Sequence, residues 1–117
     1  YGLVGSEMCI RDRLIRGCLD YLAYYKKTYP IFYFRANSGS VITQGGRVFK
    51  GASAGTPDII LLVDSIFCGL ECKTEKGKQS PAQKEAEQAI ITAGGKYFLI
   101  RSMEEIRDAI EEVRGLR

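Results

Sequence analysis

The sequence predicts an α/β domain built on a mixed sheet with helices on both faces. Three stretches carry that expectation. Asp58 to Asp64 (DIILLVD) is continuously apolar between two acids, as a strand buried on both faces would be. Phe67 to Thr74 alternates, with Cys68, Leu70 and Cys72 on one face and Gly69, Glu71 and Lys73 on the other. Ser80-Pro81 and Gln83 then open a helix with a capping-box spacing and proline at the first helical position.

The other elements follow in order. From Leu14, apolar residues recur at Ile15, Cys18, Leu19, Leu22, Tyr25 and Tyr29, the spacing of an amphipathic helix that Pro30 stops. Ile31 to Ala36 is β-branched and aromatic and reads as a strand, with Asn37-Ser38-Gly39 as a turn. Val41 to Lys50 reads as a hairpin folded at Gly45-Gly46, and Gly51 to Pro57 as irregular. The helix opened at Ser80 carries Ala82, Ala86, Ala89, Ile90 and Ala93 and ends at Gly94-Gly95. Lys96 to Arg101 is a further strand. Ser102 and Glu105 suggest a second capping box before a helix with Met103, Ile106, Ile110 and Val113 on one face.

A length of 117 residues suits one domain, and 45% hydrophobic with 26% charged residues is ordinary for a globular chain. No apolar run exceeds five residues, too few to cross a bilayer. The net charge of +3 permits a polyanionic partner without demanding one. The chain has no histidine, which excludes serine–histidine and cysteine–histidine catalysis and any metal site that needs imidazole. Hydrolytic chemistry here must run on carboxylates, lysine and a hard metal. Cysteines 9, 18, 68 and 72 form no C-x-x-C pair, which argues against a zinc ribbon and fits a reducing, cytoplasmic setting. Cys18, Cys68 and Cys72 read as small core residues.

Leu3 to Arg13 (LVGSEMCIRDR) resembles the in-frame translation of a transposon-type sequencing adaptor. Residues 1–13 are therefore set apart as a non-native segment, and 14–117 are taken as the single domain.

Pro57-Asp58 precedes the apolar strand, and Glu71-x-Lys73 lies thirteen to fifteen residues beyond Asp58. If the two strands pair around Asp64-Ser65, Asp58 comes close to Glu71 and Lys73. Converging carboxylates repel each other and call for a cation, and a hard divalent ion such as Mg²⁺ takes such oxygens. It lowers the pKa of a bound water and offsets charge that builds on phosphorus. The same residues also suit a solvated ion pair on an exposed face.

Gly55-Thr56-Pro57-Asp58, then Glu71-Cys72-Lys73, then Lys78-x-Ser80-x-x-Gln83 resembles the PD-(D/E)XK nuclease superfamily, and within it the stand-alone VRR-NUC (virus-type replication-repair nuclease) group. The Arg35-Ala36-Asn37-Ser38-Gly39 turn fits the same pattern, and the resemblance spans Leu14 to about Ile110. It implies a restriction-endonuclease-like fold with an αβββαβ core. It further implies a Mg²⁺-dependent DNA endonuclease, with Mn²⁺ able to substitute and no organic cofactor. Asp58 and Glu71 would bind the metal through side chains and Cys72 through its backbone carbonyl, while Lys73 would serve the nucleophilic water. Gln83 would stand near the metal or scissile phosphate, or be needed only for the cap.

The resemblance also suggests branched, flap or four-way-junction DNA as substrate, in replication or repair in a bacterial or phage-infected cell. Arg35, Asn37, Arg47, Lys50, Lys76 and Lys78 would contact phosphates. A homodimer is implied, with Tyr21 or Tyr24 as candidates for the subunit contact. One departure stands out. The family's first-helix glutamate would fall at position 11, which is Arg11 here, and Glu7 is the only acid within a helical turn before it. That leaves two alternatives beside the DNA endonuclease: a nucleic-acid-binding module with a degraded site, and an RNA-processing nuclease.

Overall fold

The computed structural model describes residues 3–36, 40–42, 44–46, 48–50 and 54–116, with side chains for 9–36, 44–46 and 54–116. Helix α1 (Leu3–Tyr25) begins well before Leu14 and runs unbroken through residues 13 and 14. Its buried stripe is Ile15, Cys18 and Leu22, all fully inaccessible. The helix ends at Tyr25 instead of continuing to Tyr29. Beyond it the bonds tighten, with Lys27 N donating to Tyr24 O at 3.1 Å and Thr28 N to Tyr25 O at 3.0 Å.

Strands β1 (Phe32–Arg35), β4 (Ile59–Val63), β5 (Ile66–Cys72) and β6 (Lys96–Ile100) form a four-stranded sheet in that order. The β1–β4 and β4–β5 pairs are antiparallel, and β5–β6 is parallel. Between β1 and β4 the chain makes a separate hairpin of β2 (Ser40–Ile42) and β3 (Val48–Lys50), paired with Val41 opposite Phe49, and Gly46 has φ +80° in its turn. Asn37-Ser38-Gly39, Arg47 and residues 51–53 lie outside the described residues. The β4–β5 turn places Asp64 and Ser65 at φ 51° and 66°, the geometry of a two-residue hairpin turn. A parallel β5–β6 pair requires a crossover, which α2 (Pro81–Thr92) supplies. Helix α3 (Met103–Val113) closes the chain.

The architecture is therefore α/β, a mixed sheet flanked by helices, compatible with a restriction-endonuclease-like sheet. Without the inserted hairpin, the order from α1 to β6 is αβββαβ. One sheet face carries Ile59, Leu61, Val63, Cys68, Leu70, Cys72 and Ile100 into a core shared with α1 and with Ile106, Ala109 and Ile110 of α3. Cys18 and Cys72 meet there with their sulfurs 4.0 Å apart, and the three inner cysteines are buried free thiols.

Two expectations need correction. β4 is buried on both faces except at Leu62: Ile60 on the same face is 8% exposed, but Leu62 is 43% exposed beside Phe32, Phe34 and Phe67, which are 44–58% exposed. Helix α2 reaches Gly69 and Gly95 through Ile90, and so covers the β5–β6 side of that face and leaves the β1–β4 side open. The second capping box does not form. Ser102 makes no side-chain cap, and Glu105 Oε1 accepts from Arg101 N at 2.6 Å, one residue before the expected donor. Met103 of that helix is 41% exposed and packs its sulfur over Gly17, while Ile106, Ile110 and Val113 are buried as the spacing required. Among the described residues, no helix is long and apolar enough to cross a membrane.

Candidate active site

Register decides the geometry of the site. Ile59 pairs with Leu70, so Asp58 and Glu71 arrive opposite each other at the end of the β4–β5 ladder. Cys72 N donates to Asp58 Oδ2 at 2.8 Å, and Asp58 O accepts from Ala36 N at 2.9 Å, which brings the end of β1 and Arg35 to the same place. Both acids are buried, Asp58 at 1% and Glu71 at 0% exposure.

The approach to Asp58 depends on two glycines. Gly55 has φ +86°, and a Cβ there would stand 2.3 Å from Ala82 O, so only glycine lets the chain pass the first turn of α2. Gly69 leaves room for the Pro57 ring, whose Cγ would lie 2.8 Å from a Cβ at 69. The Gly-x-Pro-Asp segment is thus wedged between α2 and β5, which fixes where Asp58 begins its strand.

Helix α2 reaches the site through Gln83. Its Oε1 accepts from Ser80 N at 2.8 Å and its backbone N donates to Ser80 Oγ at 3.2 Å, a complete capping box. Its Nε2 also donates to Glu71 Oε2 at 3.0 Å. Gln83 therefore caps the helix and orients the acid at once. Lys73 Nζ stands 3.8 Å from the same oxygen, with the side chain 13% exposed. Glu71 Oε1 is buried without a hydrogen-bond partner among the described residues. Burial, with the Asp58 carboxylate adding to it, pushes Glu71 up to about 8, against the pull of Lys73 and Arg11.

Helix α1 enters from the other face. Arg11 Nη2 lies 2.5 Å from Asp58 Oδ1 and 3.9 Å from Glu71 Oε2, and its Nε donates to Cys72 O at 3.2 Å. The position follows from helical spacing, since Arg11 extends the 15–18–22 stripe by four residues toward the strand ends.

Asp58, Glu71 and the Cys72 carbonyl form a set of hard oxygens that Arg11 approaches at Asp58 Oδ1, Glu71 Oε2 and Cys72 O, while Glu71 Oε1 stays orphaned among the described residues. That set fits a hard divalent ion wherever the guanidinium is not. Among the described residues no group of three or more histidine, cysteine, aspartate and glutamate side chains stands together as a metal site. Two acids and a carbonyl are what the described residues offer at this place.

Lys73 and Lys76 line a cleft of about 460 Å³ beside the site, together with Ile10, Leu14, Thr74, Glu75 and Arg101. Lys76 and Lys78 are exposed on the loop that follows β5, and Arg35 is exposed at the end of β1. Asn37 and Arg47, and the side chain of Lys50, lie outside the described residues. Sequence reasoning missed Arg101, whose Nη1 donates to Thr74 O at 2.6 Å, Glu75 O at 3.2 Å and Gly77 O at 2.9 Å. Nothing local in the sequence marks it, because three carbonyls of one loop converge on it only through the β5–β6 pairing. Tyr24 is 64% exposed and Tyr21 half-buried; with Tyr25 and Thr28 they line a shallow cavity of about 420 Å³.

No family model, curated protein or solved structure matches the chain.

Proposed function

We propose that this chain carries the active site of a metal-dependent DNA endonuclease of the PD-(D/E)XK type, close to the VRR-NUC group. The observation that carries the reading is the convergence of Asp58, Glu71, the Cys72 carbonyl and Lys73 at the end of one strand pair. Two buried carboxylates, an orphaned oxygen and a lysine at that spot are costly for stability and suit phosphodiester hydrolysis.

Asp58, Glu71 and the Cys72 carbonyl would hold Mg²⁺ or Mn²⁺. Such an ion, when bound, supplies an acidified water and offsets charge on the phosphoryl oxygens. Lys73, on the cleft side, would hydrogen-bond the attacking water and orient it, and Gln83 keeps Glu71 oriented. Water oxygen forms the new bond to phosphorus, the bond to the leaving sugar oxygen breaks, and no covalent enzyme intermediate arises. Arg35, Lys76 and Lys78 flank the site as backbone-phosphate contacts, which favours recognition by shape over base sequence. Branched, flap or four-way-junction DNA in replication or repair, a cytoplasmic setting and a homodimer joined near Tyr21 or Tyr24 belong to the same proposal.

One observation favours a second reading. Arg11 on Asp58 suits a nucleic-acid-binding module that keeps the fold without cutting. End-labelled single-stranded, duplex, flap and four-way-junction DNA, with a matched RNA set, tests both with Mg²⁺, Mn²⁺ or chelator. Metal-dependent cutting that Lys73→Ala abolishes supports the nuclease and separates DNA from RNA substrates. Binding without cutting, in this chain and in Arg11→Glu alike, supports the module.

A further inference from the structure

We infer that Arg11 is the resident cation of this site, so that a divalent ion binds only by displacing its guanidinium. The inference rests on the metal-site reading and adds what occupies that site in this chain, whose Arg11 belongs to the segment set apart above as non-native. Arg11 touches the proposed donor set member by member: Asp58 Oδ1 at 2.5 Å, Cys72 O at 3.2 Å and Glu71 Oε2 at 3.9 Å. With Lys73 at 3.8 Å from Glu71, two side-chain cations face the two acids before any metal arrives.

A guanidinium stays protonated at every accessible pH and presents its donors in a planar fork. To free the position, the side chain has to swing out. It has somewhere to go. Arg11 is 34% exposed on its side chain, whereas Asp58 is 1% exposed, so solvent lies on the arginine's side of the pair. Withdrawal would leave Asp58 Oδ1, Glu71 Oε2 and the Cys72 carbonyl, the three oxygens that Arg11 approaches, open to another cation, with Lys73 still beside Glu71. A divalent ion and Arg11 thus compete for one place, and metal affinity falls by the factor with which the guanidinium holds it.

The test is calorimetric titration of Mn²⁺ into the metal-free full chain, Arg11→Ala, Arg11→Gln and Arg11→Lys, each also carrying Asp58→Asn as a site control. The neutral variants should bind one Mn²⁺ at least tenfold more tightly than the parent chain, Arg11→Lys should fall between, and Asp58→Asn should abolish the gain. Melting in chelator gives an independent readout. Arg11→Ala should melt below the parent because Asp58 loses its partner, and Mn²⁺ should raise its melting temperature more than the parent's. Arg11→Gln keeps the side chain's length and carries the test if the alanine variant does not fold. Equal, Asp58-dependent affinity in parent and variants would overturn the inference and leave the metal site standing. Absence of Asp58-dependent binding in every variant would overturn the metal site and the inference together.

Discussion

Gln83 and Glu71 are joined across two layers of the fold: the amide that caps α2 through its oxygen donates through its nitrogen to Glu71 Oε2 at 3.0 Å. The helix start and the acid are therefore coupled. Ser80→Ala removes one arm of the cap and should cost about 1 kcal/mol, measured by urea unfolding. Gln83→Ala removes the other arm and also the hydrogen bond to buried Glu71, so its cost should exceed that of Ser80→Ala by about 1–3 kcal/mol. In a Glu71→Ala background the two costs should converge.

The elevated Glu71 carboxyl sets a pH dependence in the metal-free chain. Its folded value is about 8 against an ordinary 4.5. Between those values the unfolded chain has released the proton while the folded chain retains it. Unfolding then releases a proton, so stability falls as pH rises, by up to about 1.4 kcal/mol per pH unit from this group, and levels off above the folded value. Urea midpoints taken in chelator from pH 5.5 to 8.5 should show that fall, and Glu71→Gln should flatten it. Metal binding requires the ionised form, so Mn²⁺ affinity should rise over the same range.

Gly55 and Gly94 separate backbone conformation from crowding. Both have positive φ, +86° and +99°, but a Cβ at 55 would meet Ala82 O at 2.3 Å, whereas nothing lies within 4 Å of one at 94. Gly94→Ala should lose about 1–2 kcal/mol of stability for the left-handed conformation alone. Gly55→Ala should lose clearly more, because α2 must move off the segment that leads to Asp58. Denaturant midpoints of the two variants decide it.

Arg101 ties three carbonyls of the loop that carries Lys76 and Lys78. Arg101→Ala should loosen residues 74–78, seen as faster hydrogen exchange there and faster tryptic cleavage after Lys76 or Lys78, with the sheet amides unchanged. Arg101→Lys should restore part of the protection, since the single nitrogen Nη1 makes all three bonds and an ammonium also presents three donors from one nitrogen.

Much of this was legible in the chain because the signals are local. The apolar run before Asp64, the alternation through Cys72 and the Ser80–Gln83 box each encode an element directly, and the two-residue period together with a hairpin at Asp64-Ser65 aligned Asp58 with Glu71 and Lys73. What escaped was what depends on several elements at once. Exposure of Leu62 follows from how far α2 extends over the sheet, which no window around residue 62 contains. Glu105 has the spacing of a cap, but Arg101 N offers the donor that its carboxylate takes. Position 11 was singled out only by the resemblance, as the place of a first-helix glutamate, in a segment set apart from the domain. That a guanidinium would reach both Asp58 and Cys72 needed the strand register as well.

The central claim is that Asp58, Glu71 and the Cys72 carbonyl hold a divalent ion. Anomalous diffraction at the manganese edge, from crystals of Arg11→Glu grown with Mn²⁺, tests it most directly. The account predicts one strong peak within coordination distance, about 2.0–2.3 Å, of Asp58, Glu71 and Cys72 O, lost in the Asp58→Asn double variant. A map with no peak at those three oxygens, or with manganese bound only elsewhere on the surface, would contradict it.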